Sequence, residues 1–254
     1  MKKIYFSLLA LLTCSFGYGQ IISQYVETDS GTTPKGIEIW NNTGNSLDFS
    51  TNNLVIEKGA NGGTPSTDFT LSSGTLASGD VIVIGTSDME TKTLNNGAQF
   101  EDEPFSFNGD DALVVKYGGT TTDVFGDPGN DPGSSWDGSG VSTANQNIEL
   151  KSGITTGNTS GFTDPSTRFT TNNSNPTGAG GLDGFGVAPS GGGGGSCSIT
   201  DLGLTNVVCN DNGTTSDASD DFITFDLNPT GSNLGSSYTV SVNSGTVTLT
   251  TGTY

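Results

Sequence analysis

Short runs of β-branched and aromatic residues alternate with turn-forming clusters from Ile21 onward, and this pattern constrains the fold more than any other feature. Such residues pack well on a pleated sheet, whereas glycine and asparagine accept the backbone angles of tight turns. Glycine alone accounts for 39 of the 254 residues. Long amphipathic helices need alanine, leucine, glutamate and lysine in quantities that this chain lacks. We therefore predict an all-β protein with the short strands of a sandwich or barrel.

The pattern predicts eight strands before residue 190. They are residues 21–26, 36–40, 53–57, 68–71, 80–84, 112–117, 121–125 and 147–151. The continuously apolar runs at 81–84 and 112–115 are expected at the centres of sheets. The second strand alternates: Ile37 and Ile39 share one face. Glu38 and Trp40 share the other, which predicts one core face and one wetter face.

The chain begins with a segment typical of a secretory signal peptide. Lys2 and Lys3 precede an apolar run at residues 4–12, and the small residues Gly17 and Gly19 stand before Gln20. We expect cleavage after Gly19, so that residues 1–19 are the leader and the protein is secreted or displayed on the cell surface. The apolar run is shorter than the about 20 residues that cross a bilayer core, and no later segment is apolar enough. We expect no transmembrane segment.

Five consecutive glycines within residues 190–196 interrupt the strand pattern and predict a flexible linker between two domains. We place a sandwich-sized domain at residues 20–189 and a second domain at residues 197–254. The second domain has four candidate strands, at residues 199–208, 222–227, 237–242 and 245–250, and the last two predict a hairpin. An immunoglobulin-like sandwich needs about seven strands. We therefore expect a partial β-sandwich, which either continues beyond Tyr254 or offers a bare strand edge to a partner.

Charge and histidine content exclude several classes of function. Asp and Glu number 27 against 8 Lys and Arg, giving a formal net charge of −19, and the basic residues are scattered. Because such a chain repels phosphate, we expect no direct nucleic-acid binding. The chain contains no histidine, which removes the commonest general base and the histidine-assisted nucleophiles. Glycosidase chemistry needs only two carboxyl groups and survives as a weaker hypothesis.

Seven stretches of residues 20–189 share an order and spacing with a known family. They are ISQYV at 22–26, KGIEIWNNTG at 35–44, LVI at 54–56, GDVIVI at 79–84, FNGDDAL at 107–113, DVFG at 123–126 and DPG at 131–133. Together they resemble the bacterial lamin-tail domain. The resemblance implies an immunoglobulin-like β-sandwich in a secreted protein, acting as an accessory to chemistry located elsewhere. The stretch at 175–186 also resembles the end of such domains beside secreted nucleases or other hydrolases.

The best candidate metal site lies in the second domain, where five oxygen-bearing side chains fall within eleven residues. They are Asp211, Asn212, Asp217, Asp220 and Asp221. Hard oxygen ligands on an irregular loop suit Ca²⁺, although the spacing does not match the EF-hand loop. A Ca²⁺ site and a solvated acidic loop both remain open. No other cofactor is expected.

Acidic residues of the first domain offer two weaker metal hypotheses. One set recurs through a loop rich in proline and glycine: Asp123, Asp127, Asp131 and Asp137. These residues either bind Ca²⁺ or start turns. Asp110 and Asp111 precede an apolar strand, where we expect their carboxylates to bond loop amides, with metal binding as the alternative. Gly109 before them permits a positive φ.

Two cysteines and one tryptophan complete the candidate residues. Cys197 and Cys209 remain after export, and an even pair in an oxidising compartment is expected to form a disulfide, with two buried thiols as the alternative. Trp136 lies in a polar loop between Ser135 and Asp137. We expect Trp136 to be exposed and to contact a ligand.

These observations predict a secreted or cell-surface, non-catalytic binding or adhesion module that presents loops to an extracellular protein or polysaccharide. The alternative is the accessory N-terminal part of a secreted hydrolase or nuclease whose catalytic module is not in this chain. The chain itself is not expected to be an enzyme.

Overall fold

The protein is built from short β-strands, which confirms the predicted all-β class. The computed structural model describes residues 19–28, 32–189, 198–201, 204–213, 222–228, 230–232, 237–238 and 252–253. The elements of residues 19–189 are β1 (Gln20–Val26), β2 (Gly36–Asn41), β3 (Leu47–Asp48), β4 (Leu54–Gly59), β5 (Ser66–Leu71), β6 (Thr75–Leu76), β7 (Val81–Gly85), α1 (Glu90–Asn95), β8 (Gln99–Asp102), β9 (Ala112–Tyr117), β10 (Thr120–Phe125), β11 (Asp137–Gly138), β12 (Val141–Ser142), β13 (Asn147–Leu150) and β14 (Phe169–Asn173). Three 3-10 turns lie at Ala60–Gly62, Ser87–Met89 and Pro165–Thr167.

Two sheets form a sandwich in residues 19–189. The larger has the strand order β14-β13-β1-β2-β7-β8, and the smaller has the order β10-β9-β4-β5. Neighbouring strands in both sheets run antiparallel, except for β7 and β8, which run parallel. A parallel pair needs a crossover connection, and α1 lies in the one between these two strands.

The core lies between the two sheets and is closed by aromatic rings. Ile22 and Ile39 of the larger sheet and Val115 of the smaller sheet are completely buried in it. The ring of Tyr25 stacks on Phe107 and Phe125, with ring centroids 5.3 Å and 4.3 Å apart. All eight predicted strands occur, and the apolar runs at 81–84 and 112–115 lie in β7 and β9, each paired on both sides.

The expectation of a wetter face on β2 is wrong, because the outer face of the larger sheet is also covered. Glu38 and Trp40 are each only 1% exposed. A second apolar cluster lies over this face, formed by Val26, Val83, Met89 and Phe185. Phe185 belongs to residues 181–189, which we call the strap. The strap returns across the sheet and buries the side chains that alternation alone assigns to solvent.

The described parts of residues 198–253 form three strand pairs. Their strands are β15 (Ser198–Asp201), β16 (Leu204–Asn210), β17 (Phe222–Leu227), β18 (Thr230–Ser232), β19 (Ser237–Tyr238) and β20 (Gly252–Thr253). β15 pairs with β18, β16 with β17, and β19 with β20. In the last pair Ser237 lies opposite Thr253. Most of the predicted hairpin, residues 239–250, lies outside the described residues, so the hairpin stays a prediction. The predicted linker at 190–196 and residues 1–18 of the predicted leader lie outside the described residues.

No helix of the described residues has the length and apolar character needed to cross a membrane.

Candidate functional site

A row of polar side chains crosses the outer face of the larger sheet where β2, β1 and β13 lie side by side. Gln24 is the direct cross-strand partner of both Glu38 and Glu149. Directly opposite residues project from the same face, so these three side chains point the same way. The register of β1 shifts between Ile22 and Gln24. This bulge places Ser23 beside Gln24, Glu38 and Glu149. Bulges of this kind commonly redirect side chains next to functional sites.

These side chains form the floor of a pocket of about 240 Å³, which we call the polar pocket. The strap forms one wall, through Val187, Ala188 and Pro189. Ser152 lies at the rim and is exposed. The pocket therefore combines a polar floor made by three strands with an aliphatic wall made by the end of the domain.

Glu38 is a buried carboxyl group on the floor of the pocket, and its pKa is strongly raised. Its Oε1 accepts a hydrogen bond from Ser23 Oγ at 2.7 Å, and its Oε2 accepts one from Gly186 N at 2.7 Å. Burial raises the pKa of Glu38 to about 8 against the opposing effect of these hydrogen bonds, and the charge of Glu149 raises it further. Glu38 is therefore protonated at neutral pH.

Gln24 and Asn147 tie the strap to the sheet. Gln24 Nε2 donates to Asn147 Oδ1 at 2.7 Å and to the carbonyl oxygen of Asp183 at 2.7 Å. Asn147 Nδ2 donates to the carbonyl oxygens of Gly181 at 3.0 Å and Asp183 at 2.9 Å. Gly184 has a φ of +92°, and a Cβ there would lie 2.7 Å from Gln24 Oε1. A glycine is required at that position for both reasons.

Asp123 makes a similar tie on another part of the sandwich. Its carboxylate accepts Ile22 N at 2.9 Å and Asn158 N at 2.7 Å, and Arg168 Nη2 lies 3.5 Å from Oδ1. Burial raises the pKa of Asp123 to about 6, although the positive charge of Arg168 lowers it. The carboxylate thus joins three segments that are far apart in the sequence.

The predicted bonding of loop amides is confirmed for Asp111, whereas Gly109 does not use the positive φ that glycine permits. Asp111 accepts Asn61 N at 2.9 Å and Asn108 N at 3.1 Å. Gly109 is absent from the positive-φ residues; instead, a Cβ there would lie 2.6 Å from the Ala144 side chain. Close approach of two loops, rather than backbone conformation, requires this glycine. Asp110 Oδ1 is buried and has no hydrogen-bond partner in the described part of the chain.

The aspartates of the proline- and glycine-rich loop do not come together. Asp127 accepts from Asn130 Nδ2 at 2.8 Å, Asp131 accepts Gly133 N at 2.7 Å, and Asp137 accepts Ser135 Oγ at 2.6 Å. These are local turn contacts, so the three aspartates start turns, which is the alternative that the sequence offered to Ca²⁺ binding. Across the residues that the structure describes, no three Asp, Glu, Cys or His side chains are grouped as a metal site requires.

The second-domain candidates lie largely outside the described residues. Asp211 and Asn212 are described and exposed, and Asp211 Oδ1 accepts Gly213 N at 3.0 Å. The remaining candidate ligands and one of the cysteines are not described: Asp217, Asp220, Asp221 and Cys197. Cys209 lies on β16. The Ca²⁺ site and the disulfide stay predictions.

The expectation that Trp136 is exposed is wrong. Trp136 is 4% exposed and belongs to the main core cluster. Its ring covers Gly126, where a Cβ would lie 2.5 Å from the ring, and its backbone N donates to Thr143 Oγ1 at 3.0 Å. The short β11–β12 pair folds the loop back on the core, so the Trp136 ring points inward although its sequence neighbours are polar.

Sequence reasoning missed Ser23, Gln24 and Glu149 as a group. Their meeting depends on the order of β2, β1 and β13 in the sheet and on one bulge, and neither is visible in a single sequence. The alternation within β2 placed Glu38 on the correct face, which is the only signal that pointed to the pocket.

No protein-family model, curated protein or solved structure matches this chain.

Proposed function

We propose that this chain is an exported, non-catalytic binding module of the extracellular space, a lamin-tail-like sandwich that binds its ligand at the polar pocket. The observation that supports it is the state of the pocket's carboxyl groups. Glu38 accepts hydrogen bonds at both oxygens, and Glu149 Oε2 accepts Asn172 Nδ2 at 2.7 Å. These groups hold the sheet and strap in position and leave an open concavity beside them.

The same use of carboxyl groups recurs in Asp123 and Asp111, which bond backbone amides of distant segments. Groups fixed in this way make a rigid scaffold, and binding sites on rigid scaffolds lose little entropy when a ligand is bound. The net charge of −19 disfavours polyanionic ligands. Extracellular polysaccharides and proteins without strong negative charge fit the proposal.

Binding is tested with the purified chain from Gln20 to Tyr254 on arrays of polysaccharides and extracellular proteins. Ser152→Trp places a large ring at the rim of the pocket and is expected to abolish binding. Ser160→Trp is the matched control, since Ser160 is also exposed and does not line the pocket. Equal binding by both variants would contradict the pocket as the site. Hydrolysis of an array polysaccharide that Glu149→Gln abolishes would contradict a non-catalytic function.

Export is tested separately by expressing the full chain in a secreting bacterium. We expect the protein in the medium or on the cell surface with Gln20 as its first residue. Retention of an uncleaved chain in the cytoplasm would contradict the extracellular assignment without bearing on the pocket.

A further inference from the structure

We propose that the polar pocket binds one amino-sugar residue of a polysaccharide, with the sugar's ammonium group held between Gln24 and Glu149. This inference rests on the proposed function and adds the class of ligand. It is carried by the unused hydrogen-bonding capacity of the pocket, by its size and by its charge.

Two acceptor oxygens in the pocket have no partner in the described part of the chain. Gln24 is 2% exposed and uses only its Nε2 group, so its Oε1 is free to accept. Glu149 uses only Oε2, which leaves Oε1. The two residues are direct cross-strand partners on one face. An ammonium group carries three donors and no acceptor, and it complements a pair of acceptors of which one is charged.

The size and walls of the pocket suit one sugar ring. Its volume of about 240 Å³ lies below the roughly 300–1,000 Å³ of pockets that hold drug-sized ligands. Val187 is 57% exposed and, with Pro189, provides an aliphatic surface for the C–H face of a ring.

The charge of the pocket selects against acidic sugars. Burial keeps Glu38 neutral at neutral pH, since its pKa is raised to about 8, so Glu149 contributes the charge of the floor. A uronic acid would place a carboxylate beside Glu149, whereas an amino sugar would place a cation there. The net charge of the whole protein, −19, also favours a cationic sugar over an anionic one.

The test is calorimetric titration of the chain from Gln20 to Tyr254 at pH 6 with four probes: a glucosamine trimer, its N-acetylated form, a galacturonic acid trimer and a lysine-containing tripeptide. We expect the glucosamine trimer to bind about tenfold or more tightly than each of the others, because acetylation removes the charge-assisted hydrogen bond. Glu149→Gln should remove that preference, and Ser160→Trp should keep it.

A second readout locates the ligand. The side-chain amide resonance of Gln24 should shift on addition of the glucosamine trimer, because its Oε1 becomes an acceptor. Equal binding of the N-acetylated trimer would overturn the amino-sugar inference while leaving the binding function in place. Equal binding of the lysine peptide would overturn recognition of a sugar. Absence of binding to all probes, together with an array hit that Ser152→Trp abolishes, would likewise reject the amino sugar and retain the proposed function.

Discussion

Gly186 donates its backbone N–H to Glu38 Oε2 at 2.7 Å across 148 residues of sequence, and this bond fixes the strap to the centre of the larger sheet. The carboxyl group is 1% exposed and held neutral by burial. Phe185, beside Gly186, is completely buried against Val26 and Val83. A hydrogen bond and a buried apolar side chain thus hold adjacent residues of the strap, a few residues before the glycine run at 191–195.

Glu38 should make stability fall as the pH rises from about 4.5 to about 8. Its folded-state pKa of about 8 exceeds its ordinary value of 4.5, so within this window the folded protein retains a proton that the unfolded chain releases. The contribution is fully present below pH 4.5 and is lost as the pH passes through 8, at up to about 1.4 kcal/mol per pH unit. Urea unfolding at half-unit pH intervals measures this slope.

Glu38→Gln should flatten the slope between pH 6 and pH 8, because the amide does not titrate. Asp123, whose pKa is raised to about 6, accounts for part of the slope below pH 6, and this part should persist in the variant. Glu90→Gln removes an exposed carboxyl and serves as the control. An unchanged slope in Glu38→Gln would show that Glu38 does not carry the effect.

Asp123→Ala should destabilise the protein by about 3–5 kcal/mol, because it leaves Arg168 without its buried partner and the amides of Ile22 and Asn158 without an acceptor. Asp123→Asn keeps one acceptor oxygen and should cost less. Asp137→Ala, at the exposed first residue of β11, should stay within about 0.5 kcal/mol of the parent. Urea midpoints of the three variants decide; equal losses in Asp123→Ala and Asp137→Ala would contradict the role assigned to Asp123.

The sequence predicts the strands of this fold better than it predicts their surroundings. Residues 112–117 coincide with β9 because a short apolar run with two valines and turn signals on both sides favours a buried strand. α1 and β8 escaped prediction because α1 has only six residues and β8 carries the mostly polar sequence Gln-Phe-Glu-Asp. β8 is placed by its pairing with β7, and α1 packs against β8, so neither placement follows from local sequence pattern.

The same limit explains the errors in the candidate site. Glu38 was assigned to the outer face correctly, but its burial depends on the strap, almost 150 residues later in the chain. Trp136 was assigned to solvent because its neighbours Ser135 and Asp137 are polar, whereas its burial depends on Gly126 leaving room for the ring. Tertiary contacts of this kind are not encoded in any short window of sequence.

Both tryptophans should report a buried environment. The chain contains two, Trp40 at 1% exposure and Trp136 at 4%. We expect fluorescence emission at shorter wavelength than that of the urea-unfolded chain and little quenching by iodide. Trp136→Ala should cost about 3–5 kcal/mol in stability, as large-to-small changes in a core do. Strong iodide quenching in the parent that disappears in Trp136→Ala would show instead that this ring is exposed.

Breaking the ion pair of Lys35 and Glu27 by replacing Lys35 alone should lower stability more than replacing both residues. The Nζ and Oε1 atoms lie 2.7 Å apart, both side chains are 2% exposed, and Asn145 N donates to the second carboxylate oxygen at 2.9 Å. Lys35→Met removes the ammonium group that faces the buried Glu27 carboxylate and should cost about 3–5 kcal/mol. The double variant Lys35→Met, Glu27→Gln removes that charge and keeps an acceptor for Asn145, so it should be more stable than Lys35→Met alone.

The partly exposed pair of Lys116 and Glu57 is the matched control for this cycle, with side chains 28% and 17% exposed and Nζ and Oε1 2.6 Å apart. Water already screens it, so Lys116→Met should cost no more than about 1 kcal/mol. Urea unfolding of the four proteins measures both effects. If Lys35→Met costs no more than Lys116→Met, or if adding Glu27→Gln lowers stability further, burial of the charge is not what makes the first pair matter.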